Sequence, residues 1–281
     1  ADLGFRPDDL AIIERELKEP NGMILNTGPT GAGKTTTLYV FLKAKKKPEI
    51  KIITIEDPIE YHLEGIEQTQ VEPAAGYNFV SALKSILRQD PDVILVGEIN
   101  DEETAAVGMQ AALTGHLVFA TVHANNAPAA IPRLLDLGIK TQTVGPALNL
   151  IIAQRLVRKL CEHCRAPMDV AKERRNKIEQ FLSRLPKRVA RPPISKLALY
   201  EAKGCPKCGG FGYKGRVGLF ELFLVDDVIE RVLRTDVTEA GLTDAAKRQG
   251  MTTIQQDGIL KAITGLTTLE EIEAVTGPAD L

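Results

Sequence analysis

One stretch of this 281-residue sequence decides the fold, and it reads Gly28-Pro29-Thr30-Gly31-Ala32-Gly33-Lys34-Thr35. It matches the phosphate-binding pattern G-x-x-x-x-G-K-[ST], in which glycines let consecutive backbone N–H groups turn towards an anion. The apolar run 22–27 before it predicts a buried strand, and residues 36–43 after it predict a helix. A helix that begins directly after the loop adds the positive end of its dipole. The sequence therefore predicts that the chain binds a nucleoside triphosphate.

The residue types of this loop suggest a role for each member. Lys34 is expected to reach the β- and γ-phosphates, and the hydroxyl of Thr35 is expected to ligate Mg²⁺. A chance glycine-rich turn is the alternative, but ordinary residue frequencies give such a match in roughly 1% of chains of this length. We predict that the nucleotide contacts Gly28, Pro29, Thr30, Gly31, Ala32, Gly33, Lys34, Thr35 and Thr36.

Composition limits the classes of protein to consider. Hydrophobic residues make up 44% of the chain and charged residues 26%, as in soluble globular proteins. The net charge of -2 provides no overall field that would attract nucleic acid or anionic lipid. No apolar stretch reaches the ~18 residues of a membrane span, and no signal peptide is visible. Because the chain starts without Met and reaches the loop almost at once, we expect a fragment of a longer protein.

Apolar runs alternate with helical spacing in the first half, which predicts an α/β fold. We expect strands at residues 22–27, 51–56, 92–98 and 117–122, and an edge hairpin at 65–71. Amphipathic spacing predicts helices at residues 8–17, 79–87, 127–137 and 145–160, and a further helix that opens at Asp101.

The character of the sequence changes at Cys161. The basic segment 172–193 has one aromatic residue, Phe181, where stacking on nucleic acid would need several, so we interpret it as a solvated helix and linker. Residues 226–277 indicate short helices divided at Gly250, Gly258 and Gly265. These changes predict three segments: a core at 1–160, a cysteine-containing element with the basic insertion at 161–215, and a helical subdomain at 216–281.

Carboxylates follow two of the predicted strands. Glu98 comes directly after an apolar run, as in a Walker B strand, whose carboxylate faces the Mg²⁺–phosphate site. We expect Glu98 to orient or polarise the attacking water. Glu56 ends the strand at 51–56 and is expected at the same sheet edge, where α/β proteins bind ligands. Either carboxylate taken alone could instead be a helix cap or a surface charge.

Two of the four histidines, His116 and His123, flank the predicted strand 117–122. Their odd offset of seven would point them to opposite faces of a regular strand, so one shared metal site is disfavoured. A γ-phosphate sensor or a hydrogen bond between elements fits better, with a structural cap as the alternative. We include both histidines among the candidate catalytic residues.

All four cysteines fall into two C-x-x-C pairs, Cys161 with Cys164 and Cys205 with Cys208. This spacing predicts a tetrahedral four-thiolate Zn²⁺ site, although the gap between the pairs is longer than in a typical zinc ribbon. Disulfides are the alternative, and a reducing compartment disfavours them. His163 could replace one ligand, but four thiolates already close the shell.

The order of these motifs, ending in Gln154-Arg155-Leu156-Val157-Arg158 and the cysteine pairs, resembles the secretion ATPases. More narrowly, it is similar to the GspE/PilB branch, the motor ATPases of bacterial type II secretion and type IV pilus assembly. The resemblance implies a RecA-like P-loop fold with a Cys₄ zinc insertion and a small C-terminal helical subdomain. It also implies a Walker B strand that ends at Glu98, an Asp box at Glu56, Asp57 and Glu60, and a His box with His116 and His123.

The same resemblance implies ATP hydrolysis by a hexamer that powers pilus assembly or protein secretion from the cytoplasmic side of the inner membrane. Its partners would be an inner-membrane platform and a cytoplasmic adaptor, with no nucleic acid. Asn100 stands where the family usually has Arg. The resemblance implies a domain before the P-loop domain, and we expect this fragment not to include it. The alternative is a RecA-type nucleic-acid motor, which the net charge and the lack of an aromatic-rich basic groove disfavour.

Overall fold

The computed structural model describes residues 3–193 and 197–279, and the chain divides into two compact units. The core unit consists of Ala11–Ala153 and Leu222–Gln249. The cysteine unit consists of Ala1–Leu10, Gln154–Glu221 and Gly250–Leu281. These units differ from the three consecutive segments expected from the sequence, because residues 222–249 fold with the core and the chain start folds with the cysteines.

The strands of the described residues are β1 Gly22–Thr27, β2 Ile52–Glu56, β3 Glu67–Gln70, β4 Val93–Val96, β5 Leu117–Val122, β6 Leu148–Leu160, β7 Arg165–Met168, β8 Leu199–Ala202 and β9 Tyr213–Leu224. The helices are α1 Pro7–Glu16, α2 Lys34–Lys45, α3 Phe79–Ile86, α4 Glu102–Leu113, α5 Ala130–Asp136, α6 Thr141–Ala147, α7 Lys172–Arg184, α8 Asp227–Leu233, α9 Glu239–Gln249, α10 Ile254–Ile263 and α11 Leu269–Thr276. None of these helices has the length and apolar character that a bilayer-spanning helix requires.

A sheet in the order β3-β2-β4-β5-β1-β6-β9 forms the centre of the core unit, which holds the first part of β6 and the end of β9. β1 pairs in parallel with β5 and β6, and β4 pairs in parallel with β2 and β5. Strands β1, β4 and β5 are buried along their whole length, which explains their continuous apolar runs. Since these strands are parallel, their carboxyl ends lie at one edge of the sheet.

The four predicted core strands are confirmed within three residues, but the helix predicted at residues 145–160 is wrong. Helix α6 ends at Ala147, and a strand of 13 residues, β6, follows it. Residues 150–154 are buried without a break, so their apolar side chains do not alternate. A short apolar run of this kind has no period that separates a strand from a buried helix.

Two smaller expectations are also corrected. The segment 65–71 forms no hairpin, because β3 pairs in parallel with β2 at the edge of the sheet. Gly258 does not separate two helices, since it lies inside α10. A Cβ at this position would come within 2.8 Å of Ile272 on α11, so the glycine permits close helix packing.

The cysteine unit combines an antiparallel pair of strands and three helices with the second part of β6 and most of β9. β7 pairs with β8, and helix α7 buries Ile178, Phe181 and Leu182 while its remaining surface is largely exposed. Helices α10 and α11 pack against each other, and α10 also contacts β8. The basic segment thus contains a helix with one buried face.

A buried cluster of charges ties the start of the chain to α10 within the cysteine unit. The Arg6 guanidinium donates to Asp257 at 2.7 Å and to Asp9 at 2.8 Å, and Lys261 pairs with the same Asp257. The fully buried Asp257 also accepts the backbone N–H of Phe220 at 2.8 Å. Desolvation lowers the pKa of Lys261, and the attraction of Asp257 opposes this shift. Removing one partner of such a cluster would leave an uncompensated buried charge.

Asp9 is the member of this cluster that is least well compensated. Burial raises its pKa to about 6 despite the attraction of Arg6, and its Oδ2 has no hydrogen-bond partner among the described residues. Since the folded-state pKa exceeds the unfolded value of 3.8, the stabilisation from this carboxyl is complete below about pH 4 and is lost as pH rises through 6.

We therefore expect Asp9→Asn to flatten the pH dependence of stability between about pH 4 and 6. At pH 7 the variant loses both the desolvation penalty of the Asp9 carboxylate and its attraction for Arg6, so the diagnostic quantity is the pH slope and not the absolute stability. Urea unfolding at several pH values measures this slope, and the exposed Asp136→Asn serves as the matched control. An unchanged pH slope in Asp9→Asn would contradict the assignment.

Candidate nucleotide-binding site

The loop between β1 and α2 has a backbone conformation that depends on glycine. Gly31 and Gly33 have φ values of +76° and +85°, which lie in the left-handed region that other residues rarely adopt. Gly33 is the N-cap of α2, and the helix begins at Lys34. The first N–H groups of a helix have no partner within the helix, so this turn presents donors to an anion.

The Lys34 side chain folds back over this loop. Its Nζ donates to the carbonyl oxygen of Gly28 at 2.8 Å and to that of Pro29 at 3.2 Å. These bonds hold the ammonium group against the loop. The nine residues predicted for nucleotide contact occupy this loop and the first turn of α2: Gly28, Pro29, Thr30, Gly31, Ala32, Gly33, Lys34, Thr35 and Thr36.

Glu98 and His123 meet at the same sheet edge as the loop. Glu98 follows β4 and His123 follows β5, the strand that lies between β4 and β1. The His123 Nε2 contacts the Glu98 Oε1, and their side chains are 47% and 32% exposed. Both groups therefore remain accessible to a ligand while they contact each other.

Glu56 lies at the end of β2 and is buried. Its Oε1 accepts the Thr54 hydroxyl at 2.5 Å and the Gln68 amide at 3.1 Å, and its Oε2 accepts the Tyr39 hydroxyl. Desolvation and the bond to Glu56 raise the pKa of Tyr39, so its hydroxyl remains a proton donor. Adjacent strands are about 4.8 Å apart, and β2 is three positions from β1, so Glu56 lies farther from the loop than Glu98 does.

His116 lies at the opposite edge of the sheet from His123. It precedes β5, and its Nδ1 is 3.1 Å from the carbonyl oxygen of Ala111 near the end of α4. The six residues of β5 separate the two histidines by about 20 Å at the rise of a strand. The two histidines are therefore not brought together, and within one chain His116 does not reach the nucleotide loop.

The four cysteine sulfurs lie within 4.8 Å of one another in the cysteine unit. Cys161 and Cys205 have their Sγ atoms 3.9 Å apart, and Cys164 and Cys208 have theirs 3.8 Å apart, so no disulfide joins them. Desolvation alone would raise the pKa of Cys208, but the backbone N–H groups of Cys205 and Gly212 bond its sulfur and lower it to about 6. These two backbone donors favour the ionised form of the Cys208 sulfur, which is the form that binds a metal.

These features define a class of protein: an α/β P-loop protein with an acidic residue at the end of a neighbouring strand and a separate four-cysteine cluster. The profile of a family described as type II/IV secretion system protein matches residues 1–274. The chain belongs to this family. The expected fold, a RecA-like P-loop core with a four-cysteine element and C-terminal helices, is confirmed along with the resemblance.

Curated relatives fall into two named groups. The type IV pilus assembly ATPase PilB of Thermus thermophilus is 44% identical over 98% of this chain and 30% of its own length. The type II secretion system ATPase E of Vibrio cholerae is 45% identical over 98% of this chain and 52% of its own length. The chain thus spans about a third to a half of these relatives. Their names support secretion or pilus ATPases and give no support to the nucleic-acid motor.

Solved structures agree with this placement. The pilus retraction motor PilT with bound ADP matches with a TM-score of 0.68 at 30% identity, over 99% of this chain and 66% of that one. The ATPase DotB of Legionella pneumophila matches with a TM-score of 0.65 at 22% identity, over 96% of this chain and 63% of that one. The second likeness is evidence for the fold alone.

Glu56 offers a direct test of the buried hydrogen bonds at the site. We expect Tyr39→Phe to lower the free energy of unfolding by about 1–3 kcal/mol, because the buried carboxylate loses a donor. The control is Tyr61→Phe, whose ring is exposed and stacks edge-on against Tyr39. Chemical unfolding measures both variants. If Tyr39→Phe and Tyr61→Phe have the same free energy of unfolding, the Tyr39 hydroxyl does not contribute to stability.

Proposed function

We propose that this chain is the ATP-hydrolysing part of a motor that powers type IV pilus assembly or type II protein secretion. The observation that carries the proposal is the arrangement of the glycine loop, Lys34 and Glu98 at one sheet edge. Membership of the secretion family and the names of the relatives support the same reading.

The residues of the site divide the chemistry between them. The loop N–H groups and Lys34 bind and orient the phosphates of ATP. Glu98 orients the attacking water and accepts its proton as a general base. The Thr35 hydroxyl would be a ligand of Mg²⁺, which, when bound, neutralises charge on the β- and γ-phosphates. His123 sits against Glu98, where it can respond to the γ-phosphate. Glu56, which is buried at the end of β2, would add a second carboxylate to the sheet edge that holds Glu98.

The four cysteines would hold one structural Zn²⁺. Sulfurs placed tetrahedrally at the usual Zn–S distance of ~2.3 Å are about 3.8 Å apart, close to the separations of the nearest pairs here. Cys161, Cys164, Cys205 and Cys208 would fill all four positions, so the ion would have no open site for a substrate. Its contribution is to stabilise the fold of the cysteine unit.

The wider setting of the motor is proposed from the resemblance to the secretion ATPases, and the names of the relatives support it. We propose a hexamer that works at the cytoplasmic side of the inner membrane with a membrane platform and a cytoplasmic adaptor. The resemblance implies that retraction motors usually lack a tetracysteine element, so the four cysteines favour assembly or secretion over retraction. His116, far from the loop of its own chain, has a catalytic role in this proposal only if another subunit brings it to a nucleotide.

Nucleotide turnover tests the central proposal. We expect Lys34→Ala to abolish measurable ATP binding, while Lys43→Ala, an exposed position on the same helix, should bind normally. Glu98→Gln should bind ATP yet lower kcat by about 10²–10⁴-fold, as expected for loss of a general base. Binding by titration and phosphate release by the full-length protein measure both. Wild-type turnover by Glu98→Gln would show that its assigned role is wrong.

Metal content tests the zinc proposal. Protein purified without added metal should contain close to one zinc per chain by elemental analysis. Paired replacement Cys205→Ser with Cys208→Ser should remove the ion and lower the stability of the cysteine unit, while nucleotide binding persists. Metal-free protein with four freely titratable thiols would contradict the zinc assignment.

A further inference from the structure

Glu98 is held in place by a neighbour that no motif singles out. Thr121 of β5 is buried, and its hydroxyl donates to the carbonyl oxygen of Gly97 at 2.6 Å. Its own carbonyl oxygen accepts the backbone N–H of Ile99 at 2.9 Å. Thr121 therefore bonds to both chain neighbours of Glu98.

These bonds lie where the regular sheet has stopped. The paired register of β4 with β5 ends at Val96 and Ala120, so Glu98 lies beyond the regular part of the sheet. On the other side, the Gly97 N–H donates to the carbonyl oxygen of Ile55 at 2.7 Å, and a Cβ on Gly97 would come within 3.0 Å of that atom. The peptide before Glu98 is thus confined between two strands.

The side chain of Glu98 is also contacted by a residue at the end of β5, His123. Thr121 is the last residue but one of β5, and His123 follows the strand directly. Thr121 bonds the backbone beside Glu98, while His123 contacts its carboxylate. One strand end thereby restrains both the main chain and the side chain of a single residue.

We propose that Thr121 is a positioning residue that fixes the backbone of Glu98, so that its carboxylate faces the nucleotide. This inference rests on the proposed function. The hydroxyl is the essential group, because valine has nearly the same shape and lacks only the donor. Without it, the Gly97 carbonyl loses its short bond and residues 97–99 can shift.

The test compares Thr121→Val with Thr121→Ser in the full-length protein. We expect Thr121→Val to lower kcat about 10- to 100-fold, since a misplacement near 1 Å can cost about 10²-fold. Its affinity for ADP and its KM for ATP should remain close to wild type. Thr121→Ser keeps the hydroxyl and should recover most of kcat. The matched control is Thr267→Val, a buried threonine whose hydroxyl also donates to a backbone carbonyl, that of Arg158 at 2.9 Å.

The outcomes separate this inference from the proposed function. If Thr121→Val turns over normally while Glu98→Gln is inactive, the positioning role is wrong and the proposed function stands. If Thr121→Ser is as slow as Thr121→Val, or if Thr121→Val loses ADP affinity and kcat together, the hydroxyl does not act through Glu98. If Glu98→Gln itself turns over normally, the proposed function fails first.

Discussion

Parallel pairing of β1, β5 and β4 is the constraint on which the rest of the structure depends. These strands are buried along their length and run in one direction, so the polar residues that follow them emerge at a single edge. The glycine loop, Glu98 and His123 are far apart in the chain, yet they share this edge. Antiparallel pairing of any one of these strands would send its polar end to the opposite side.

Much of this arrangement could be predicted from the sequence because the responsible signals are local. The loop pattern needs glycine at Gly31 and Gly33 for reasons of backbone geometry, and a carboxylate after a short apolar run indicates a strand end. The spacing of the two C-x-x-C pairs likewise predicts a four-thiolate site. Such signals locate residues along the chain, and parallel pairing then brings their ends together.

Other features could not be predicted, because they depend on contacts between distant residues. Nothing near Glu56 in sequence reveals that Tyr39 and Gln68 will occupy its oxygens. Residues 148–160 form a strand although their spacing predicts a helix, because a strand stretch buried on both faces has no alternation. His116 and His123 looked equivalent as flanking residues, but the direction of β5 places only His123 at the loop edge. Tertiary context decides all of these cases.

Buried threonines show how such a sheet can keep its register. In strands that are apolar on both faces, no alternation of apolar and polar side chains specifies the register. A slip by one residue would therefore preserve most of their apolar burial. Buried polar groups favour one register over the others, because each buried donor needs its acceptor at hydrogen-bond distance. The Thr27 hydroxyl donates to the carbonyl oxygen of Ala124 at 3.0 Å and accepts the N–H of the same residue at 2.8 Å, while Thr121 bonds Gly97. A slip of β5 would break both contacts, so the bonds that fix the register also fix the site.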